Sequence, residues 1–172
     1  MRQEGNSHKR HKRFPDFFVL FVPFVAISFC GFSAAWGQDQ ELFGIWRLNF
    51  AESTFASGPP PYARVTCKIE PWEDGLRVIY DMVGTRGGVT HWEWTGRWDG
   101  KDYTLEGVEE VVTNAYSRIG DHTYGVVVKV DGRITTTNRI AISPDGTTMT
   151  ATSTASNAQG QNVINTAIYH KR

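Results

Sequence analysis

The sequence is poor in cysteine, has no excess of basic charge and carries no pattern typical of a helix. Its 172 residues include two cysteines and equal numbers of basic and acidic side chains. Five basic and two acidic residues precede Gln38, which leaves 13 basic against 16 acidic side chains from there onward. A mildly acidic domain of this kind lacks the basic surface that binds nucleic acid. We therefore expect no nucleic-acid partner.

Signatures of catalysis are missing as well. The chain contains no metal-ligand spacing, no nucleophile motif and no phosphate-binding loop. His91, His122 and His170 are isolated from one another in the sequence, so they do not indicate a haem or metal site. These absences predict a protein that is not an enzyme and that holds neither a cofactor nor a metal.

The first 37 residues have the order of a secretory signal. A basic run at residues 8–13 precedes an apolar stretch at residues 14–32, and Ala35 and Gly37 are small residues suited to a cut before Gln38. The sequence thus predicts a signal peptide over 1–37 and an exported domain over 38–172, secreted or periplasmic. The alternative is an uncleaved membrane anchor, because the apolar stretch approaches the ~18 residues that span a bilayer. Membrane contact is expected only through this segment.

A cut before Gln38 would leave Cys67 as the single cysteine of the domain. No internal disulfide could then form, so the domain would depend on its hydrophobic core. About 135 residues are enough for one such core, and we expect a single-domain monomer. Cys67 alternates with Val65 and Ile69, which predicts a buried, unreactive thiol on their face.

The remaining sequence is a succession of short apolar-polar alternations separated by turn signals. Asp131-Gly132, residues 143–146 and residues 157–160 all have compositions suited to hairpins. Three prolines at 59–61 predict a stiff loop after the first strand, with at most one helical turn near residues 52–55. The predicted strands, ten in all, are residues 42–50, 63–69, 76–82, 89–98, 103–105, 111–118, 124–130, 133–142, 147–156 and 161–169.

The segment 89–98 is the most distinctive of these, since its tryptophans share one side. If the preceding loop pairs Val83 with Val89, Tyr80 lies opposite Trp92, and the aromatic side becomes the inner side. The same register places Asp81 opposite His91 on the outer side. A carboxylate beside an imidazole could act as a general base. No nucleophile accompanies it, so we interpret it as a solvated surface pair.

The hairpin at Asp131-Gly132 admits two registers. A two-residue turn would set Val128 opposite Thr135, whereas a three-residue loop with a left-handed glycine would set Val128 opposite Ile134. The second agrees with burial because it pairs apolar with apolar side chains. It predicts five inner residues on the later strand: Ile134, Thr136, Asn138, Ile140 and Ile142.

This register makes the interior polar in part. Thr136 and Asn138 would face inward, and a four-residue turn would continue the same face into Ser153. Buried polar groups need partners, so these side chains either bond one another and trapped water or surround a partly hollow space.

Sequential hairpins without a convincing helix favour an all-β fold. The sequence favours an antiparallel up-and-down meander barrel of about ten strands, because neighbouring strands can pair in order and closure removes the exposed edges of the sheet. A barrel of this strand number is wide enough to enclose a small ligand.

Both ends of the domain resemble the calycin superfamily. Residues 43–48, Phe-Gly-Ile-Trp-Arg-Leu, and residues 52–55, Glu-Ser-Thr-Phe, are similar to the opening of fatty-acid-binding proteins. Residues 166–171 are similar to that family's last strand, whose Arg and Tyr bind a carboxylate. Ala167 occupies the position of the Arg here and Tyr169 that of the Tyr.

The domain as a whole also resembles small secreted bacterial lipocalin-like proteins. The resemblance implies a lipocalin-like barrel with Trp46 plugging its base. The loop with the three prolines is too short to hold the helical pair that covers fatty-acid-binding barrels.

These observations predict an exported barrel that binds a small hydrophobic or amphipathic molecule. The alternative is a cell-envelope module whose aromatic side chains fill the barrel and whose threonine-rich outer faces bind a protein or a glycan. The candidate ligand-binding residues are Tyr80, Trp92, Trp94, Tyr124, Asn138 and Tyr169.

Overall fold

A computed structural model of the chain describes residues 39–156 and 160–172. The described residues fall within one compact unit, Ser33–Arg172. The predicted signal segment lies outside the described residues, so its cleavage stays a prediction. Within the described part, no helix has the length and apolar character needed to cross a membrane.

The described residues form ten β-strands and no helix. Each strand pairs antiparallel with its neighbours in sequence, and β1 also pairs with β10, which closes the sheet into a barrel. The all-β meander barrel predicted from the sequence is confirmed. The strands are β1 Gly44–Thr54, β2 Tyr62–Trp72, β3 Gly75–Gly84, β4 Val89–Gly96, β5 Tyr103–Glu106, β6 Val112–Gly120, β7 Thr123–Val130, β8 Arg133–Ile142, β9 Thr148–Ser156 and β10 Asn162–Lys171.

The register between β3 and β4 agrees with the prediction. Val83 pairs with Val89, Tyr80 with Trp92, and Asp81 with His91. The Tyr80 and Trp92 rings are stacked, with their centroids 4.3 Å apart. A cross-strand aromatic pair of this kind contributes ~0.2 to 1 kcal/mol relative to alanines, so the contact reinforces the register that the loop length sets.

The first strand is longer than predicted. β1 continues to Thr54 in place of the helical turn expected near residues 52–55. Its pairing with β10 is interrupted between Asn49 and Thr54. At this irregularity the Ser53 hydroxyl accepts a hydrogen bond from the Ile168 amide at 2.9 Å. The hydroxyl thus replaces a carbonyl of the ladder, which lets the chain stay extended.

The hairpin between β7 and β8 differs from the predicted three-residue loop. Val130 pairs with Arg133 across a two-residue turn, and the register shifts farther along, so that Val128 lies opposite Thr136. Asp131 and Gly132 both have positive φ, at 48° and 75°, as a type I′ turn requires. The two-residue turn already places Ile134 opposite Lys129 and facing outward, where it is 63% exposed, and the later shift returns Thr136 to the inner side. The prediction that Ile134 faces the interior is therefore wrong.

Two ends of the barrel can be distinguished. One end carries residues 39–43 and the connections β2–β3, β4–β5, β6–β7 and β8–β9; we call this end the base. We call the opposite end the mouth. The base is densely packed, because Trp46 and Trp94 are fully buried there beside Leu42, Leu76 and Met149. The indole of Trp46 donates to the Leu42 carbonyl at 2.8 Å. The implied plugging role of Trp46 is thus present in the structure.

Close packing at the base leads to a stability prediction for Gly75. A Cβ at this position would lie 1.8 Å from the carbonyl oxygen of Gly96, a backbone atom that cannot move without disturbing β4. Gly75→Ala should therefore lower the free energy of unfolding by at least about 2 kcal/mol. Urea unfolding followed by tryptophan fluorescence measures this change.

Gly120→Ala is the matched control. Its Cβ would meet the Thr123 side chain at 3.7 Å, an ordinary contact, so stability should change by less than about 0.5 kcal/mol. Equal stability of the two variants would contradict the packing described for the base.

Candidate functional site

A cavity of about 400 Å³ occupies the barrel between the packed base and the mouth. This volume lies within the ~300 to 1,000 Å³ range of small-molecule sites. Valines and other aliphatic side chains line it together with four tyrosines, Trp92 and two asparagines, Asn114 and Asn138. None of its lining residues in the described part of the chain is charged. The barrel is thus filled at its base and hollow above it.

Four of the six candidate residues line this cavity. Tyr80, Trp92, Asn138 and Tyr169 point inward from β3, β4, β8 and β10. Tyr169 is 6% exposed, and Asn138 is half-buried. The alternation within each strand brings these side chains to one chamber although they are distant in sequence. That they bind a ligand stays a prediction.

Trp94 lies in the base and does not line the cavity. Its indole nitrogen donates to the Tyr103 carbonyl at 3.0 Å. Its ring packs against Tyr116, with centroids 4.3 Å apart, and meets Tyr103 edge-on. Trp94 therefore forms part of the floor beneath the cavity.

Tyr124 also lies in the base, within a polar cluster in which Tyr124 and Asp39 are buried and Arg118 is partly exposed. Its hydroxyl donates to the Asp39 carboxylate at 2.9 Å, and the Arg118 guanidinium donates to both oxygens of the same carboxylate. Asp39 is only 1% exposed. The Arg118 guanidinium also lies 4.9 Å from the centroid of the Trp98 ring. The cluster fastens the start of the domain to β6 and β7.

Sequence reasoning missed Asn114, a second asparagine of the cavity. It lies on β6 opposite Val128 and is 5% exposed. Its amide oxygen has no hydrogen-bond partner among the described residues. The faces of the segment 111–118 could not be assigned from its pattern alone. Pairing this segment with the valines of β7 would have indicated that Asn114 and Tyr116 face inward.

The β1–β2 loop borders the mouth. Phe55 and Pro60 line the cavity from this loop. The amide of Ala56 donates to the Asn165 side chain at 2.8 Å, and the Thr85 amide donates to the Pro61 carbonyl at 3.0 Å. These bonds hold the loop against β10 and the β3–β4 loop, so the mouth is narrowed without a helical lid.

The histidines of the described residues lie outside the cavity. His91 is 2.7 Å from the Asp81 carboxylate, and both side chains are more than half exposed. His170 forms a separate exposed pair with Glu52 at 2.8 Å. Within residues 39–156 and 160–172, no group of three or more His, Cys, Asp or Glu side chains could hold a metal ion.

Comparison with known proteins supports the fold. No protein-family model matches the chain, and no curated protein matches it. Among solved structures, the chain is similar to the crystal structure of the zebrafish ileal bile acid-binding protein complexed with cholic acid. The TM-score is 0.50 at 16% sequence identity, over 77% of this chain and 99% of that chain. At this level of identity the similarity shows a shared barrel fold and no more.

Burial determines the acid-base chemistry of the interior. It raises the pKa of the Cys67 thiol to about 12, although a hydrogen bond with Tyr80 opposes the shift. Cys67 is thus the buried, unreactive thiol that the sequence predicts. Burial likewise raises the pKa values of Tyr80, Tyr116 and Tyr169. The interior therefore disfavours negative charge.

The raised tyrosine pKa values predict how stability depends on pH. Because these folded-state pKa values exceed the unfolded value of ~10, the stability they contribute is complete below pH ~10 and declines as the pH rises further. Tyrosinate absorbance should appear together with unfolding in alkaline solution. Parallel absorbance and circular dichroism titrations measure both. Normal ionisation of all six tyrosines in the intact fold would contradict their burial.

Proposed function

We propose that this protein is exported and binds a small hydrophobic or amphipathic molecule inside its barrel. The observation that carries the proposal is the cavity of about 400 Å³, whose walls are aliphatic and aromatic. Burial of apolar ligand surface against such walls makes the free energy of binding more favourable by ~25 cal/mol per Å². The protein acts by binding, with no catalytic step.

The fold supports this proposal. The zebrafish protein of the same fold is complexed with cholic acid, a small lipophilic molecule. In the present chain, stacking of Tyr80 on Trp92 provides a rigid aromatic wall at low entropic cost. Tyr80, Trp92, Asn138 and Tyr169 form the proposed contact set, with Trp94 and Tyr124 supporting the floor beneath it.

Filling the cavity tests the function. Ala167 lines the cavity on β10, whereas Ala63 is exposed on β2. Ala167→Phe should weaken binding of the uncharged fluorescent probe N-phenyl-1-naphthylamine at least ~tenfold, because the new ring occupies the binding space. Ala63→Phe should leave the affinity unchanged. Fluorescence titration measures both affinities.

A second filling variant guards against local misfolding. Ala151 is the register partner of Ala167 on β9 and also lines the cavity, so Ala151→Phe should have the same effect. Circular dichroism verifies that each variant retains the barrel. Absence of probe binding by the native protein, or full affinity in both filling variants, would refute the proposed function.

Export has its own test. The order of basic run, apolar stretch and small residues before Gln38 supports cleavage at that point. We expect mass spectrometry of the protein from the periplasm or culture medium to show a chain that begins at Gln38. Retention of the intact chain in the membrane fraction would favour the anchor instead.

A further inference from the structure

We propose that the cavity selects uncharged molecules carrying a hydroxyl group over the corresponding carboxylates. This inference rests on the proposed binding function and specifies the chemical class of its ligand. Three features of the cavity lead to it: an uncharged lining, a buried amide oxygen without a hydrogen-bond partner among the described residues, and the burial of the neighbouring tyrosines.

The first feature is the absence of a charged partner for an anion. None of the lining residues of the described chain is Lys, Arg or His. Ala167, next to the buried Tyr169 on the inner face of β10, contributes only a methyl group. On the outer side of the wall, Arg77 is paired with Glu93, to which it donates at 2.6 Å. A carboxylate inside the cavity would therefore find no cation.

The second feature is the pair of asparagines. Asn114 lies opposite Val128 and Asn138 opposite Val126, so the two amides flank β7 on one wall of the cavity. The Asn114 amide oxygen is buried and has no hydrogen-bond partner within residues 39–156 and 160–172. An unsatisfied buried acceptor is costly, and a ligand hydroxyl that donates to it would remove that cost. A carboxylate has no proton to donate there.

The third feature is the response of the interior to charge. The same burial that raises the pKa values of Tyr80, Tyr116 and Tyr169 would raise that of an enclosed carboxyl group, by up to ~3 to 5. A carboxylic acid would therefore enter mainly in its protonated form. With an ordinary solution pKa of ~4.3, only about one molecule in 1,000 is protonated at pH 7.4.

A matched pair of ligands tests the selection on the native protein. 1-Dodecanol and dodecanoic acid share one chain length and differ in the head group, and each can be titrated against bound N-phenyl-1-naphthylamine. At pH 7.4, the alcohol should displace the probe at a concentration at least ~100-fold lower than the acid. On lowering the pH toward 5, the acid should gain about tenfold in affinity per pH unit, while the alcohol should not change.

The Asn114→Leu variant tests the hydroxyl contact. The substitution keeps the branched shape of the side chain and removes the amide, so 1-dodecanol should bind roughly tenfold more weakly, with the affinity of each variant for the probe measured by direct titration. Asn162→Leu, at an exposed position of β10, is the control and should change neither affinity. Unchanged binding of the alcohol by a folded Asn114→Leu variant would overturn the role of this amide.

The outcomes separate the two proposals. If the probe binds but the alcohol and the acid displace it equally well at pH 7.4, or neither displaces it, the selection for neutral alcohols is wrong and the binding function stands. If the probe does not bind the native protein, the binding function itself fails. The comparison on the native chain does not depend on the folding of any variant.

Discussion

Closure of the sheet is the constraint on which the rest of the structure depends. β1 pairs with both β2 and β10, so the barrel has no free edge and every strand has one face inside. A ring of this size encloses more space than its inward side chains fill when they are of ordinary size. Large aromatic residues are concentrated at the base, where Trp46 and Trp94 are fully buried. Toward the mouth the smaller Val128, Ala151 and Ala167 leave the cavity.

The floor of that cavity depends on contacts between distant parts of the chain. A buried carboxylate is costly unless it is paired and hydrogen-bonded, and Asp39 meets this condition through Arg118 and Tyr124. The Trp46 indole donates to the Leu42 carbonyl and so joins the segment 39–42 to β1. Asp39 and Leu42 therefore help to close the base of the barrel.

Strand positions and much of the pairing could be predicted because alternation and turn chemistry are local properties. The β3–β4 register follows from a short loop and matched apolar faces, and the structure agrees with it at Val83 and Val89. Irregularities could not be predicted in the same way. The shift next to Val128 and the interruption after Asn49 insert residues without any compositional signal. The two-residue turn leaves Ile134 facing outward, and the residue inserted beside Val128 returns Thr136 to the inner side.

The sequence predicts which side chains of the site face the interior, but not how far from the mouth each one lies. Alternation correctly assigns Trp92 and Trp94 to the same inner side of β4, yet one lines the cavity and the other lies in the floor. Their depth is decided by the stagger of neighbouring strands, which arises only when the barrel closes. The same stagger places Asn114 and Asn138 on one wall, although each alone is an unremarkable polar residue. The chemistry of the cavity is thus a property of the closed ring, which brings uncharged side chains from separate strands together around one space.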